Sequence, residues 1–313
     1  MPEQISEVDQ KPNLFNIRPH HVHNPIALLI HRRVRPFEEP DALWHQSTTG
    51  IFLMLKNRCA LITGSASGLG FAIADNLAQA GASIVLHGLQ TPEVCEQARA
   101  DLASRRGVKV MVSRADLRDP AQIEQMMQEA ASFSGGVDIL VNNAVVRNPG
   151  SAEELSVGDW DDALAVNLSS SFHTARLALP SMRKSGWGRI INISSVYGLT
   201  ATTGRIAYIT TKTALIGLTR SLAMDTANAG ITCNALCPGT VPTPPIMAKI
   251  EGIAASKGIS ATQAQREYIS ARHPTGRFVA MENVGAFAVF LCSDAGSDIT
   301  GAVLPIDAGW TIE

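Results

Sequence analysis

From Cys59 onward the chain alternates between short apolar runs and longer stretches with helical spacing, and this alternation limits the fold more than any other feature. The runs are "CALIT", "SIVLH", "VKVMVSR", "VDILVN", "GRIINIS", "ITCNALC" and "AVLPID". Each is rich in Val, Ile or Leu and has the length of a strand rather than a helix. Between them, apolar residues recur every three to four positions, as from Gly68 to Ala80 and from Ala121 to Phe133. Strands alternating with helices make βαβ units, which require a parallel sheet with helices on its faces. Near-continuous apolar strands fit a sheet covered on both sides. The expectation is an α/β fold with one doubly wound, seven-stranded parallel sheet, forming a single domain over residues 54–313. The stretch from Thr243 to His273, between the sixth and seventh strands, is expected to add one or two helices.

Residues 1–53 differ from the rest. They hold six of the sixteen prolines and five of the eight histidines, and they show no sustained period. They read as a poorly ordered N-terminal extension, with "HHVH" at 20–23 and "HRRVR" at 31–35 as solvated polar segments rather than sites. Met54 opens "MLKNRCALITG", a natural start for the domain. A net charge of −2 offers no basic field for nucleic acid or an anionic membrane. No apolar run reaches membrane-spanning length, and "MPEQISEVDQ" lacks the basic start and apolar core of a secretory signal. The five cysteines are odd in number, and Cys233 and Cys237 lie in a strand and its exit, so buried thiols are expected and no metal site. These features point to a reducing compartment, the cytoplasm.

The first strand ends in "TGSASGLG", with glycines at 64, 68 and 70 before a helix opens. Such a turn lets backbone approach a pyrophosphate at a helix N-terminus, where free N–H groups and the helix dipole favour negative charge. A glycine trio alone is weak, but here it follows strand one of a βαβ series. At the end of strand two, an acid favours NAD and a basic residue NADP. "LHGLQ" there contains neither, and only His87 offers a partner for a 2′-phosphate, so NAD is expected, with NADP not excluded. Asp116, after strand three, is a candidate acceptor for the adenine amine.

"IAYITTK" places Tyr208 four residues before Lys212, one helical turn apart on a shared face. A free tyrosine ionises near pH ~10 and is a poor base at neutral pH. A nearby ammonium favours its phenolate, which can then exchange a proton with an alcohol or carbonyl oxygen. Ser195, thirteen residues earlier at the end of "NISS", can hydrogen-bond the same oxygen. Asn167, in "AVNLSSSF", falls inside a helical stretch, where asparagine is mildly unfavourable, and a local kink holding a water would explain it. "NNA", at 142–144, ends strand four beside the glycine turn.

These motifs together resemble the short-chain dehydrogenase/reductase family over about residues 54–313, carried by "TGSASGLG", "NNA", Asn167, Ser195, "YITTK" and "PGTVPT". The resemblance implies a Rossmann-like fold, a nicotinamide cofactor and a homotetramer. It implies Tyr208 as general acid/base, Ser195 as the group that orients the substrate oxygen, Lys212 on the nicotinamide ribose, and Asn167 holding a water in a proton relay. Gly64, Ser67, Gly68, Leu69, Gly70, Asp116, Leu117, Asn143, Ala144, Pro238, Gly239, Val241 and Thr243 would contact the cofactor. Val241 and Thr243 would meet the carboxamide. One departure is Val145, where the family usually has glycine; a β-branched residue rules out a glycine-only backbone and adds bulk near the nicotinamide.

Within the family, "ADLRDPAQIEQMM", "LAVNLSSSFHTARLALPSMRKSGWGRIINISSVYG" and "DAGWT" resemble bacterial 3-hydroxybutyrate dehydrogenases. That likeness implies a small carboxylate substrate near Arg147, Tyr197, Arg205 and Trp310. Arginine binds a carboxylate in a bidentate manner. Arg205 stands where the subgroup has lysine, Arg147 where it has glutamine, Tyr197 where it has histidine, and Thr240 where it has tryptophan, while the Trp310 position is kept. An added guanidinium and a lost indole imply a larger or more anionic substrate with a second polar group. Two other readings remain: an NADPH-dependent 3-oxoacyl thioester or sugar reductase of the same family, and a non-catalytic binding protein of the same fold.

Overall fold

The computed structural model describes residues 54–312; the expectations for residues 1–53 lie outside that range. Seven parallel strands are present: β1 (Cys59–Ile62), β2 (Ser83–His87), β3 (Val110–Ser113), β4 (Ile139–Asn142), β5 (Gly188–Ile193), β6 (Ile231–Pro238) and β7 (Val303–Ile306). Their order in the sheet is β3-β2-β1-β4-β5-β6-β7, so the chain winds outward from β1 in one direction and from β4 in the other. Seven strands in a doubly wound parallel sheet match the sequence expectation.

Alternating side chains explain why the strands read as continuous apolar runs. Ala60 and Ile62 of β1 enter one core with Ile73 and Leu77 of helix α1 (Gly68–Gln79) and Val284 and Leu291 of α9 (Met281–Cys292). Cys59 and Leu61 enter the opposite core, with Ile123 and Met126 of α3 (Pro120–Ser134), Ala178 and Met182 of α5 (Ser170–Ser185) and Leu222 of α6 (Ile206–Thr226). Each fully buried Leu or Ile contributes about 1.5–3 kcal/mol, so both faces need apolar residues.

Local signals set the helix ends. α2 (Pro92–Arg106) begins at Thr91, whose side chain accepts from the Val94 N–H, and ends at Gly107 in the left-handed region. α3 repeats that grammar with Asp119, Pro120 and Gly135. The segment between β6 and β7 contains two helices, α7 (Pro244–Lys257) and α8 (Ala261–Ser270), which share a small core of their own around Ile250, Ala254 and Ala264.

One helix departs from regular geometry. Between α4 (Val157–Leu164) and α5, residues Ala165–Ser169 form a π-helical turn with Asn167 buried inside it. Such turns widen the helix by one residue and re-aim a side chain. The kink expected at Asn167 is therefore present as a π turn.

Candidate active site

β1 and β4 are neighbours, yet the chain leaves them in opposite directions, so their C-terminal ends open a crevice at the switch point. The glycine turn lies there. Gly64 has φ +63°, and a Cβ on it would come within 2.8 Å of the Ala144 Cα. A Cβ on Gly70 would overlap the Gly64 carbonyl, so both positions need glycine for close packing. Asn143 fixes the turn from β4: its Nδ2 donates to the Thr63 and Gly64 carbonyls at 2.9 and 2.8 Å. The Asn143 and Ala144 N–H groups both donate to Thr63 Oγ1.

His87 fixes the turn from β2. Its Nδ1 accepts from the Gly64 N–H at 3.0 Å, and its Nε2 donates to the Ala115 carbonyl at 2.8 Å. The ring is 3% exposed, with both nitrogens committed. His87 is the one residue of "LHGLQ" that offers a partner for a 2′-phosphate; its ring turns inward and supports the glycine turn instead. Burial pushes its pKa below the ordinary histidine value, keeping it neutral.

A cavity of about 630 Å³ runs along the turn. Gly64, Ser67, Gly68, Leu69, Gly70, Asn143, Ala144, Lys212, Pro238, Gly239, Val241 and Thr243 all line it, together with Gln90 and Val145. Val145 sits on ordinary backbone, without the positive φ a glycine would allow, and its side chain narrows the wall. Asp116 and Leu117 are not on this wall. The Asp116 carboxylate is held by the Arg118 guanidinium, which lowers its pKa, and Leu117 is buried. The Thr243 hydroxyl is buried with no hydrogen-bond partner. An orphan hydroxyl on the cavity wall, beside a cradle that any Cβ would fill, suits a ligand with backbone-approaching phosphates and a polar amide.

A second cavity of about 420 Å³ adjoins the first, and Arg147, Ser195, Tyr208, Gly239, Val241 and Thr243 line both. Tyr197, Arg205, Thr240 and Trp310 belong to the second alone. Sequence reading missed Lys249, Tyr268 and Arg272, which the α7–α8 insertion brings to the same wall. All three tyrosines of the chain thus face one cavity.

α6 carries Tyr208 and Lys212 on its buried face. The Lys212 Nζ lies 5.8 Å from the centre of the Tyr208 ring and donates to the Ile193 carbonyl at 2.7 Å. Burial, then the charge of Arg147, pulls the Lys212 pKa down to about 7. Ser195 Oγ accepts from the Tyr197 N–H at 3.1 Å, which leaves its own hydrogen free to donate. The Asn167 amide nitrogen donates to the Val146 carbonyl at 3.1 Å and to Thr211 Oγ1 at 3.2 Å. Its oxygen accepts from the Val146 N–H, so one oxygen lone pair remains.

Trp310 is placed by Asp307, whose carboxylate accepts from the N–H groups of Gly309 and Thr311 and from the Thr311 hydroxyl. The indole packs edge-on against Tyr197 at 5.4 Å and against the ring of His273 at 5.5 Å. His273 in turn accepts from the Thr240 N–H at 3.0 Å and donates to the Arg277 carbonyl, locking the loop after β6.

A family model described as enoyl-(acyl carrier protein) reductase matches residues 64–311. The D-beta-hydroxybutyrate dehydrogenase of Cupriavidus necator is 42% identical over 261 residues, covering 83% of this chain and 100% of that one. This chain belongs to the short-chain dehydrogenase/reductase family. The D-beta-hydroxybutyrate dehydrogenase of Rhizobium meliloti is 43% identical over 256 residues, covering 82% of this chain and 99% of its own. Among solved structures, L-sorbose reductase from Gluconobacter frateurii, complexed with NADPH and L-sorbose, superposes with a TM-score of 0.80 at 28% identity, covering 84% of this chain and 99% of that one. The family makes this chain an oxidoreductase that acts on CH–OH groups with a nicotinamide cofactor. Among the described residues, no helix is long and apolar enough to cross a membrane. The five cysteines are free and buried, and burial pushes the Cys59 and Cys233 thiols up to about 11 and about 12.

Proposed function

We propose that this protein is an NAD-dependent dehydrogenase of small hydroxy acids, of the 3-hydroxybutyrate kind or bulkier. The observation that carries the reading is the wall shared by the two cavities: Ser195 and Tyr208 stand on it, with the glycine turn on one side and Arg147 and Arg205 around the other. The D-beta-hydroxybutyrate dehydrogenases at 42% and 43% identity support the substrate class.

When bound, the nicotinamide supplies the hydride acceptor, or the donor in reverse. Tyr208 takes the substrate hydroxyl proton as the carbinol carbon is oxidised, and returns it in reverse. The free Ser195 hydrogen donates to the same oxygen and fixes its position. Lys212 holds a ribose hydroxyl with a remaining N–H. The spare lone pair of Asn167 holds a water on the proton route to Lys212. Gly64, Ser67, Gly68, Leu69 and Gly70 take the pyrophosphate at the start of α1. Asn143 and Ala144 border the ribose, and Pro238, Gly239, Val241 and Thr243 the carboxamide; Asp116 and Leu117, off the cavity wall, would meet only an adenine that extends past it. Arg147 and Arg205 bind the substrate carboxylate, with Tyr197 and Trp310 as its apolar walls.

NAD is favoured because, among the described residues, the only cations lining the cofactor cavity, Arg147 and Lys212, are at the reacting end. NADP has two observations in its favour: Arg114 donates to the Gln90 carbonyl at 3.1 Å, beside the ribose end, and the L-sorbose reductase of similar fold is complexed with NADPH. We also assign the protein to the cytoplasm as a homotetramer. The exposed Val157, Phe172 and Met224 on α4, α5 and α6 supply apolar surface for that assembly. Residues 1–53 are proposed to be dispensable, since 261 residues of this chain cover 100% of a dehydrogenase relative.

The test is a steady-state assay with NAD and NADP against 3-hydroxy acids, neutral sugars and simple alcohols. Turnover of hydroxy acids with NAD supports the reading. Turnover of sugars alone, or with NADP alone, replaces the substrate or cofactor assignment.

A further inference from the structure

The substrate cavity carries more positive charge than one carboxylate needs. Among the described residues, its wall includes Arg147, Arg205, Lys249 and Arg272 but no Asp or Glu, in a chain whose acids outnumber Lys and Arg by 28 to 26. Among the described residues, none of the four forms an ion pair; those pairs use other cations. A wall of one sign focuses potential on whatever enters.

The cations form two groups. The Arg147 guanidinium lies 5.9 Å from the centre of the Tyr208 ring, and that of Arg205 lies 5.8 Å from the Tyr197 ring. An isolated bridge between Gly150 and Arg205 ties the two segments that carry them. This group stands at the reacting end. The second group flanks Tyr268: Lys249 at 5.6 Å and Arg272 at 4.0 Å from the ring centre. Arg272 also donates to the Tyr268 carbonyl at 2.7 Å, so its stacked plane is fixed, with further N–H groups to spare. Burial, then the charges of Arg205 and Arg272, lower the Lys249 pKa. Cations crowded in this way repel one another, and an anion between them relieves the repulsion. A monocarboxylate held by Arg147 and Arg205 leaves the Tyr268 pair without a role.

We infer that the natural substrate is a hydroxy acid with two anionic groups, one carboxylate on Arg147 and Arg205 beside the reacting carbinol and a second anionic group on Lys249 and Arg272. This deepens, and rests on, the hydroxy-acid reading above. The reaction itself is unchanged. The carbinol C–H and O–H bonds break and a C=O bond forms; the hydride passes to the oxidised nicotinamide and the proton to Tyr208, while the second anion takes no part. A second carboxylate and a phosphate ester share the required chemistry.

Two measurements on the full chain test this inference. The first compares kcat/KM with NAD for 3-hydroxypentanoate, 3-hydroxypentanedioate and 3-hydroxy-4-phosphooxybutanoate. One of the two compounds with a second anionic group is expected to exceed the monoacid by about tenfold or more, and the better of them identifies the second group. Lys249→Gln and Arg272→Gln should each pull that ratio toward one. The second compares thermal stabilisation by the unreactive pentanedioate, by 2-phosphoglycolate and by pentanoate, in the presence of NAD, for wild type and both variants. The two compounds with two anionic groups should stabilise more than pentanoate, and the excess should fall in the variants. Equal kcat/KM values, equal shifts, or a preference that both variants retain overturns the inference. If no hydroxy acid turns over but the compounds with two anionic groups still stabilise through Lys249, the hydroxy-acid reading falls and the two-anion site stands.

Discussion

The Asn167 side chain grips the backbone of Val146 from both sides, accepting from its N–H at 2.8 Å and donating to its carbonyl at 3.1 Å. Asn167 is thereby the anchor of the segment that carries Arg147. Asn167→Ala leaves both Val146 groups without partners and frees that segment. The expected result is about a tenfold or greater fall in kcat with a rise in KM for the acid, because a buried donor and acceptor are orphaned together. An unchanged KM would separate Asn167 from substrate positioning and leave it only the proton route.

Tyr208→Phe removes the proton acceptor but keeps the ring that packs against Tyr197 at 6.4 Å. General acid–base groups contribute about 10²–10⁴-fold, so kcat should fall by that range. Cofactor affinity, measured by nicotinamide fluorescence, should change little. A variant that retains a tenth or more of wild-type kcat would move the acid/base role elsewhere.

Lys212 ties stability to pH. Its folded pKa of about 7 lies below the unfolded value of 10.5, so between them the unfolded chain binds the extra proton. Stability therefore rises with pH across that window, and the penalty for burying the ammonium is full below it. Denaturant melts at pH 7 and 9.5 should show wild type gaining on Lys212→Met as pH rises. Parallel changes in the two proteins would show that the lysine is not held near neutrality.

His87 acts in the same direction at lower pH. Its folded pKa is depressed by burial, while the unfolded ring takes a proton near pH 6.5. Its contribution is present above that pH and is lost as pH falls below it. The nearby charge of Asp116 opposes the depression without reversing it. His87→Leu should flatten the fall in stability from pH 7.5 to 5.5. It should also weaken NAD binding at neutral pH, since Gly64 loses its acceptor. Equal acid sensitivity in the two proteins would remove His87 from the account.

Asn192 and Asn142 bridge the middle of the sheet, side chain to side chain at 2.8 Å, with Thr219 and Thr174 completing the row. Asn192→Ala leaves the buried Asn142 amide nitrogen with only a 3.5 Å contact to the Ser171 carbonyl, while the Thr219 hydroxyl keeps its bond to the Leu215 carbonyl, and should cost about 1–3 kcal/mol. Chemical denaturation measures that loss. A change below ~0.5 kcal/mol would mean that the row is replaced by other partners.

The strands, the doubly wound sheet and the glycine turn were legible in the sequence because each rests on local chemistry: β-rich runs alternating with helical spacing, and glycines where a Cβ would collide. The register pairs Asn142, the last residue of β4, with Asn192, next to last in β5, and that buried row went unread because pairing depends on the order of strands in the sheet. The inward turn of His87 left no trace either, because a side chain at a strand end takes its direction from tertiary contacts. Asn167 signalled an irregular helix, but not its grip on a backbone twenty-one residues earlier. Lys249, Tyr268 and Arg272 were read as parts of ordinary helices. Their place at the cavity depends on how α7 and α8 fold back over β6, which no spacing encodes.

The indole of Trp310, edge-on to Tyr197, puts a light source in the cavity wall. Its emission colour answers to the polarity around the ring. The other indoles of the described chain lie elsewhere: Trp187 between the guanidiniums of Arg58 and Arg189, and Trp160 on α4. A shift in emission on adding an acid thus reports the pocket filling before any bond is broken, and dates arrival separately from turnover.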